Sequence, residues 1–250
     1  MHLSAWGEGA AVLAIHGTGT SARFFVAARD RITAEVEVTA PDRPGWGSSP
    51  APDHYRRTSI AEQATAILAS LDNPDEVGGS LSILGEGLGA VVALEIALSR
   101  PDRVAAVAMI DPPILGLLTG ATEGVSADGE LVRESVESGG PEAAYELFLS
   151  GALETLGAGA GRLGDLADRG PLAPRSFLVE LPAVPDWSLD PARFRDLEAR
   201  ALLISVGDSP TLLREAADSL VGRIPTAERL ELEATGLEAT GEAFSFLVSP

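Results

Sequence analysis

Three glycines at alternate positions mark the stretch of sequence that most resembles a reaction site. Gly85, Gly87 and Gly89 follow the apolar run at residues 81–84 and precede the helix-like apolar run at residues 90–98. A strand, a glycine-rich turn and a helix in this order are the setting in which G-x-S-x-G exposes a nucleophilic serine. The central residue here is Gly87, which has no side chain. The sequence therefore predicts the strained turn without its nucleophile.

The side chains that could transfer protons are two carboxylates and one imidazole. Asp111 and Asp208 each follow an apolar run that we predict to be a strand, and ligands bind at the carboxyl edge of a parallel sheet. The two carboxylates could therefore supply acid–base function at one pocket. The alternative is that each one caps a turn or a helix, and we favour it for either residue taken alone. His16 follows a third apolar run, at residues 10–15.

The composition excludes several classes of function. The 250 residues include 18 Lys and Arg against 37 Asp and Glu, and the resulting charge of −19 disfavours nucleic acid and anionic membranes as partners. There is no cysteine, and His2, His16 and His54 lie far apart, so we expect no metal site and no cofactor. No signal peptide or run of about 20 apolar residues is visible. We expect a cytoplasmic protein with a hydrophobic small-molecule partner, and the oligomeric state stays open.

Apolar runs alternate with helical patterns along most of the chain. Such alternation indicates an α/β fold, in which right-handed crossovers build a parallel sheet with helices on both faces. The predicted strands cover residues 10–15, 36–40, 81–84, 104–110, 201–206 and 228–234. One predicted helix begins near Ser21, a plausible N-cap. Four further predicted helices cover residues 60–71, 88–99, 211–221 and 239–248, and Thr58 or Ser59 would cap the helix at 60–71.

The alternation stops between residues 114 and 189. This stretch contains glycine-rich segments and short helical patterns such as that of residues 142–149. Its aliphatic and aromatic content favours a packed structure over a disordered linker. We predict a helical lid at 114–189, inserted over the carboxyl edge of a core formed by residues 1–113 and 190–250.

The order of these motifs resembles that of the α/β-hydrolase superfamily over nearly the whole chain. The resemblance rests on His16-Gly17 after one strand, on residues 42–48 (Asp-Arg-Pro-Gly-Trp-Gly-Ser) after the next, on the glycine turn at 85–89, and on Gly207-Asp208 after a later strand. It implies an α/β-hydrolase fold, a mostly parallel, doubly wound sheet with a helical lid insertion.

The resemblance also implies a degenerate catalytic triad. The nucleophile position falls on Gly87, the acid position on Asp208 or, as in some members, on Asp111, and the position of the histidine base on Leu237. No histidine occurs after His54. Because nucleophile, imidazole and acid act as a unit, an ordinary Ser-His-Asp hydrolase is not expected. Leu237 would instead provide an apolar wall of the pocket.

The remaining pocket residues also follow from the resemblance. An oxyanion hole would use the backbone N–H groups of Leu88 and Thr18, the latter following Gly17 in the His-Gly loop. Arg43 would reach the rim of the pocket. Glu86 would pack behind the pocket, and a role of Glu86 as nucleophile is the less favoured alternative.

Three functions are compatible with this sequence. The first is a non-hydrolytic enzyme that binds a hydrophobic carbonyl compound, such as a lyase, cyclase or isomerase of bacterial secondary metabolism. The second is a catalytically inactive pseudo-hydrolase that acts as a ligand-binding or accessory protein. The third is a cryptic hydrolase that uses Asp111, Asp208 or His16.

Overall fold

The computed structural model of the chain describes residues 1–71, 81–187 and 190–249. Within these residues seven strands form one sheet in the order β1-β3-β2-β4-β5-β6-β7. The first strand, β1, is antiparallel to β3, and all the other neighbouring strands are parallel. The strands are β1 Leu3–Gly7, β2 Ala10–Ile15, β3 Val36–Pro41, β4 Leu81–Glu86, β5 Val104–Ile110, β6 Arg200–Val206 and β7 Ala227–Leu232.

Helices connect the strands and cover the sheet. The α-helices are α1 Arg23–Ala27, α2 Ile60–Leu68, α3 Leu88–Ser99, α4 Ala121–Leu149, α5 Ala173–Glu180, α6 Thr211–Val221 and α7 Gly236–Val248. Short 3-10 helices occur at Arg29–Arg31, Leu115–Leu117, Ala160–Arg162, Gly164–Leu166 and Pro191–Asp196. Among the described residues, no helix is long and apolar enough to cross a membrane.

The predicted α/β fold is confirmed, including the mostly parallel sheet. The sequence missed β1, because this five-residue edge strand lacks a continuous apolar run and is only partly buried. Helix α2 begins at the predicted residue, where Ser59 and Glu62 form a capping box. It ends three residues before the predicted end. Helix α7 begins three residues early because Thr235 and Glu238 form a second capping box. Helix α1 begins at Arg23, two residues after Ser21, whose Oγ accepts from the Arg23 N–H at 3.4 Å.

The core lies on both faces of the sheet, because alternate residues of the central strands point to opposite sides. On one face, Leu13 and Ile15 of β2 pack in a cluster with α2, α3 and α6. On the other face, Val12 and Ala14 pack in a cluster with α1 and α7. Helix α3 is buried on every side over its first ten residues, which explains why all of them except Glu95 are apolar or glycine. The turn that precedes α3 is therefore fixed by packing on both of its flanks.

The segment between β5 and β6 is helical and forms its own aromatic cluster. The rings of Tyr145 and Phe148 stack with centroids 6.0 Å apart, and Phe148 lies 4.7 Å from Phe177 of α5. The predicted helix at 142–149 is the second half of α4, which is interrupted at Gly140, where φ is 76°. The last two residues of the predicted lid, at 188 and 189, lie outside the described residues. We call the described part, residues 114–187, the lid.

Candidate functional site

The glycine turn joins β4 to α3 with the backbone geometry of a sharp elbow. Gly87 has φ 54° and ψ −126°, and its N–H donates to the carbonyl of Ile110 at 2.9 Å. A Cβ at Gly89 would lie 2.1 Å from the Ile15 carbonyl oxygen, so this position must be glycine. A Cβ at Gly87 would meet only Gly17 Cα, at 3.6 Å. Glycine is therefore favoured at 87 by backbone conformation and not by lack of space.

A cavity of about 80 Å³ lies between this elbow and the lid. Its lining combines the ends of β4 and β5, the loop after β2, and the lid. Its polar lining side chains are Thr18, Glu86, Asp111, Thr155, Arg162 and Glu180. The expectation that Leu237 forms an apolar wall is wrong. Leu237 instead packs from α7 against the core cluster on the α1 face of the sheet and does not line the cavity.

The two backbone donors expected for an oxyanion hole both line the cavity. Thr18 and Leu88 are lining residues, and Leu88 opens the twelve-residue helix α3. Among the hydrogen bonds of the described residues, none is donated by the N–H of Thr18 or of Leu88. The N–H of Gly17, in contrast, donates to Glu86 Oε2 at 3.0 Å. The N–H groups of Thr18, in the loop after β2, and of Leu88, at the start of α3, can therefore receive a carbonyl or enolate oxygen.

Glu86 lines the cavity, beside the elbow, and is half-buried. The expectation that it packs behind the pocket is therefore wrong. Burial raises the pKa of Glu86 from 4.5 to about 7, and the negative charge of Asp111 acts in the same direction. Arg162, the Gly17 N–H and Arg43 partly oppose this increase. A carboxyl group with a pKa near neutrality can both accept and return a proton, as a general acid–base catalyst requires.

Asp111 and Asp208 are brought together by an arginine of the lid. Asp111 is 1% exposed, has a φ of 48°, and accepts hydrogen bonds from Ser209 Oγ at 2.6 and 2.8 Å. Arg162 Nη2 lies 2.8 Å from Asp111 Oδ2, and Arg162 Nη1 lies 3.1 Å from Asp208 Oδ1. Asp111 and Arg162 line the cavity, whereas Asp208 is exposed outside the lining. The structure thus joins both predicted carboxylates in one ion-pair network that also includes a lid residue.

His16 is held within the loop after β2. Its Nδ1 lies 2.8 Å from the Gly17 carbonyl oxygen, and its Nε2 accepts from the backbone N–H of Arg43 at 2.9 Å. Burial, reinforced by the positive charge of Arg43, lowers the pKa of His16 well below its usual value. Both ring nitrogens are thus engaged, and His16 does not line the cavity. This geometry fits the bracing of a loop better than proton transfer to a ligand.

Arg43 does not reach the rim of the pocket, which corrects a further expectation. Its side chain is fully buried and forms an ion pair with Glu180 of α5, Nη1 to Oε1 at 2.5 Å. The same guanidinium donates to the carbonyl oxygens of His16 and Gly17, at 2.8 and 2.9 Å. A buried guanidinium requires such partners, and a carboxylate 137 residues away along the chain provides the charge.

Sequence reasoning missed the two lid residues that complete this site. Arg162 and Glu180 contact the core through side chains whose partners are distant in sequence, and no local motif marks either one. The only local signal was the glycine-rich run at 157–161 immediately before Arg162. The preceding backbone is fixed by Asp128, whose Oδ2 accepts from the N–H groups of Thr155 and Leu156 at 2.7 and 2.6 Å.

Comparison with known proteins agrees with this architecture. The chain is 31% identical over 140 residues to the lipase LipV of Mycobacterium tuberculosis, a match that covers 55% of this chain and less than half, 47%, of LipV. It is 28% identical over 243 residues to RutD of Klebsiella pneumoniae, whose name assigns it carbamate hydrolysis, and this match covers 91% of this chain and 84% of RutD. The structure of MenH from S. aureus superposes with a TM-score of 0.74 at 14% identity, covering 99% and 96% of the two chains, which shows a shared fold.

The sequence profile of the alpha/beta hydrolase family matches residues 12–241. This range includes the elbow, the loop after β2, the lid and the ends of β5 and β6 that surround the cavity. The chain belongs to the alpha/beta hydrolase family.

Proposed function

We propose that this protein binds a small, largely apolar carbonyl compound in the cavity and catalyses proton transfer on it without hydrolysis. The N–H groups of Thr18 and Leu88 hold the carbonyl oxygen, and Glu86 exchanges the proton. The observation that carries this proposal is the position of Glu86, a cavity-lining carboxyl group beside the elbow with its pKa raised to about 7. Isomerisation and elimination are the reaction classes that need only these groups.

Charge balance favours a carbonyl substrate with an acidic C–H. The Glu86 carboxylate takes a proton from the carbon next to the carbonyl, and the electron pair of that C–H bond moves to the carbonyl oxygen. One negative charge thereby leaves Glu86 and appears on the enolate oxygen, where the two N–H groups and the start of α3 stabilise it. Return of the proton at another carbon completes an isomerisation, and loss of a group from the next carbon completes an elimination.

Other residues of the site support this choice over acyl transfer. Gly87 offers no nucleophile, and His16 has both ring nitrogens engaged. Asp111 and Asp208 are bound to Arg162, so proton transfer by either carboxylate would disrupt an ion pair. Their arrangement fits a role in holding the lid residue Arg162 against the core.

Hydrolysis with water activated by Glu86 is the second candidate. It is favoured by the names of the relatives, which include a lipase and a carbamate hydrolase. In this reaction Glu86 would take a proton from water while the same two N–H groups polarise the ester or carbamate carbonyl. The binding site is identical in both candidates, and only the atom that loses the proton differs.

The deciding experiment separates proton exchange from hydrolysis with the same variants. Wild type, Glu86→Gln and Glu228→Gln are incubated in D2O with a panel of cyclic and aryl ketones and, separately, with p-nitrophenyl esters. Glu228 is an exposed strand glutamate and is the matched control. NMR measures deuterium uptake next to the carbonyl, and absorbance measures ester cleavage.

The outcomes distinguish all three functions. Deuterium uptake that Glu86→Gln abolishes and Glu228→Gln retains supports the proposal. Ester cleavage with the same dependence on Glu86, and no uptake, would establish the hydrolytic alternative. Saturable ketone binding with neither reaction would indicate a ligand-binding protein. Activity that survives in Glu86→Gln contradicts a role for this carboxyl group.

A further inference from the structure

Glu180 connects the lid to the core of the protein by hydrogen bonds beneath the cavity. It is the last residue of α5 and is 1% exposed. Its Oε1 accepts hydrogen bonds from Arg43 Nη1 at 2.5 Å and from Trp46 Nε1 at 2.8 Å. Its Oε2 accepts from Arg43 Nη2 at 3.2 Å and from the hydroxyl of Thr18 at 3.1 Å. One lid carboxylate therefore binds both the buried arginine and the residue that would donate to the substrate oxygen.

The loop after β2 is held by this pair from two directions. Arg43 binds the carbonyl oxygens of His16 and Gly17, which turns the peptide planes of the loop, and Glu180 fixes the Thr18 side chain. Gln63 of α2 closes the cluster by accepting from Arg43 Nη1 at 2.5 Å. Because a peptide carbonyl and the following N–H share one plane, fixing the Gly17 carbonyl also sets the direction of the Thr18 N–H.

We infer that Glu180 and Arg43 are positioning residues that orient the Thr18 N–H toward the cavity, so that the lid helix α5 is part of the oxyanion-binding apparatus. This inference rests on the proposed function, because it assigns these residues to the oxygen-binding part of that site. It also predicts that α5 stays docked while substrate binds, since its departure would leave Arg43 buried without its counter-ion.

The test uses variants that remove the pair without leaving a buried charge. The double variant Arg43→Met/Glu180→Met replaces both partners with apolar side chains, which buried ion pairs commonly tolerate. Thr18→Val removes only the hydroxyl that donates to Glu180, and Thr18→Ser keeps that hydroxyl. Ser176→Ala is the matched control, since Ser176 Oγ donates from the same helix to the Gly45 carbonyl at 2.8 Å, away from the loop after β2.

Two measurements are made on each variant. Amide hydrogen exchange at Gly17, whose N–H donates to Glu86, reports the order of the loop without any ligand. Infrared spectroscopy of bound carbonyl-¹³C acetophenone reports the hydrogen bonds that the ketone oxygen accepts. A merely structural role would not move the carbonyl stretch of a probe that remains bound.

We expect the double variant to exchange the Gly17 amide about tenfold faster and Ser176→Ala to stay within about twofold of wild type. The ketone stretch, lowered in the wild-type complex, should return toward its value in hexane in the double variant and in Thr18→Val, and Thr18→Ser should keep the wild-type value. Unchanged exchange and stretch in the double variant overturn the inference. If that variant does not fold, an unchanged stretch in Thr18→Val overturns it. A bound probe whose stretch is not lowered even in wild type contradicts the proposed function instead, while the exchange rates still decide the loop's dependence on α5.

Discussion

Replacing Gly87 with serine restores the side chain of a nucleophile elbow. The variant tests both the backbone strain at this turn and the absence of a histidine base in the cavity. The φ of 54° and ψ of −126° at this position are reached without strain only by glycine. Strain of this kind costs a residue with a side chain about 1–3 kcal/mol. The new Cβ meets only Gly17 Cα, at 3.6 Å, which is an ordinary contact. We therefore expect Gly87→Ser to lower the free energy of unfolding by about 1–3 kcal/mol through backbone strain alone.

A second glycine provides the control for this stability effect. A Cβ at Gly116 would meet no atom within 4 Å, and the backbone there is not in the left-handed region. Gly116→Ser should therefore leave stability unchanged or raise it slightly. Urea unfolding followed by circular dichroism measures the free energy of unfolding of both variants. In thermal unfolding of a chain of this size, each kcal/mol lost lowers Tm by about 2–4 °C. Equal stabilities of the two variants would refute the strain assigned to the elbow.

Gly87→Ser also tests whether the cavity contains a base that could activate a serine nucleophile. A serine at 87 would find no imidazole among the described residues that line the cavity, because His16 is turned into its own loop. We expect Gly87→Ser to hydrolyse p-nitrophenyl acetate no faster than wild type, because the proton of the hydroxyl has no histidine to accept it. An increase that depends on residue 87 would mean that another group of the cavity acts as the base.

Three further predictions concern Glu86, Arg162 and Gly89. Because folding raises the pKa of Glu86 from 4.5 to about 7, its protonated form stabilises the fold below about pH 4.5 and this contribution is lost as the pH rises through about 7. Urea midpoints over this range should therefore fall more steeply in wild type than in Glu86→Gln, with Glu228→Gln matching wild type. Arg162→Met leaves the buried Asp111 carboxylate without its counter-ion and should lower the free energy of unfolding by about 1–3 kcal/mol, whereas Arg133→Met, which removes only exposed pairs, should change nothing measurable. Gly89→Ala would place a Cβ 2.1 Å from the backbone oxygen of Ile15, so it should destabilise by at least the 1–3 kcal/mol typical of overpacking and far more than an alanine at Gly116; equal thermal stabilities would contradict the close approach of α3 to β2.

The sequence by itself determined the fold, because the signals for it are local. Continuous apolar runs predict strands buried on both faces, and β2 and β5 occupy the predicted residues. The elbow could be located because a strand, three spaced glycines and an apolar helix follow one another directly. The identity of residue 87 and the absence of histidine after residue 54 are likewise properties of the sequence alone.

Only the tertiary structure decided which side chains face the cavity. Adjacent residues at the end of a strand point in different directions, so the sequence could not show that Glu86 lines the cavity. Arg43 was expected at the rim, but its side chain is buried and the lid provides Glu180 as its counter-ion. Arg162 joins Asp111 and Asp208 across separations of 51 and 46 residues. These contacts depend on how the lid packs over the sheet, and long-range packing of that kind leaves no periodic pattern in the sequence that forms it.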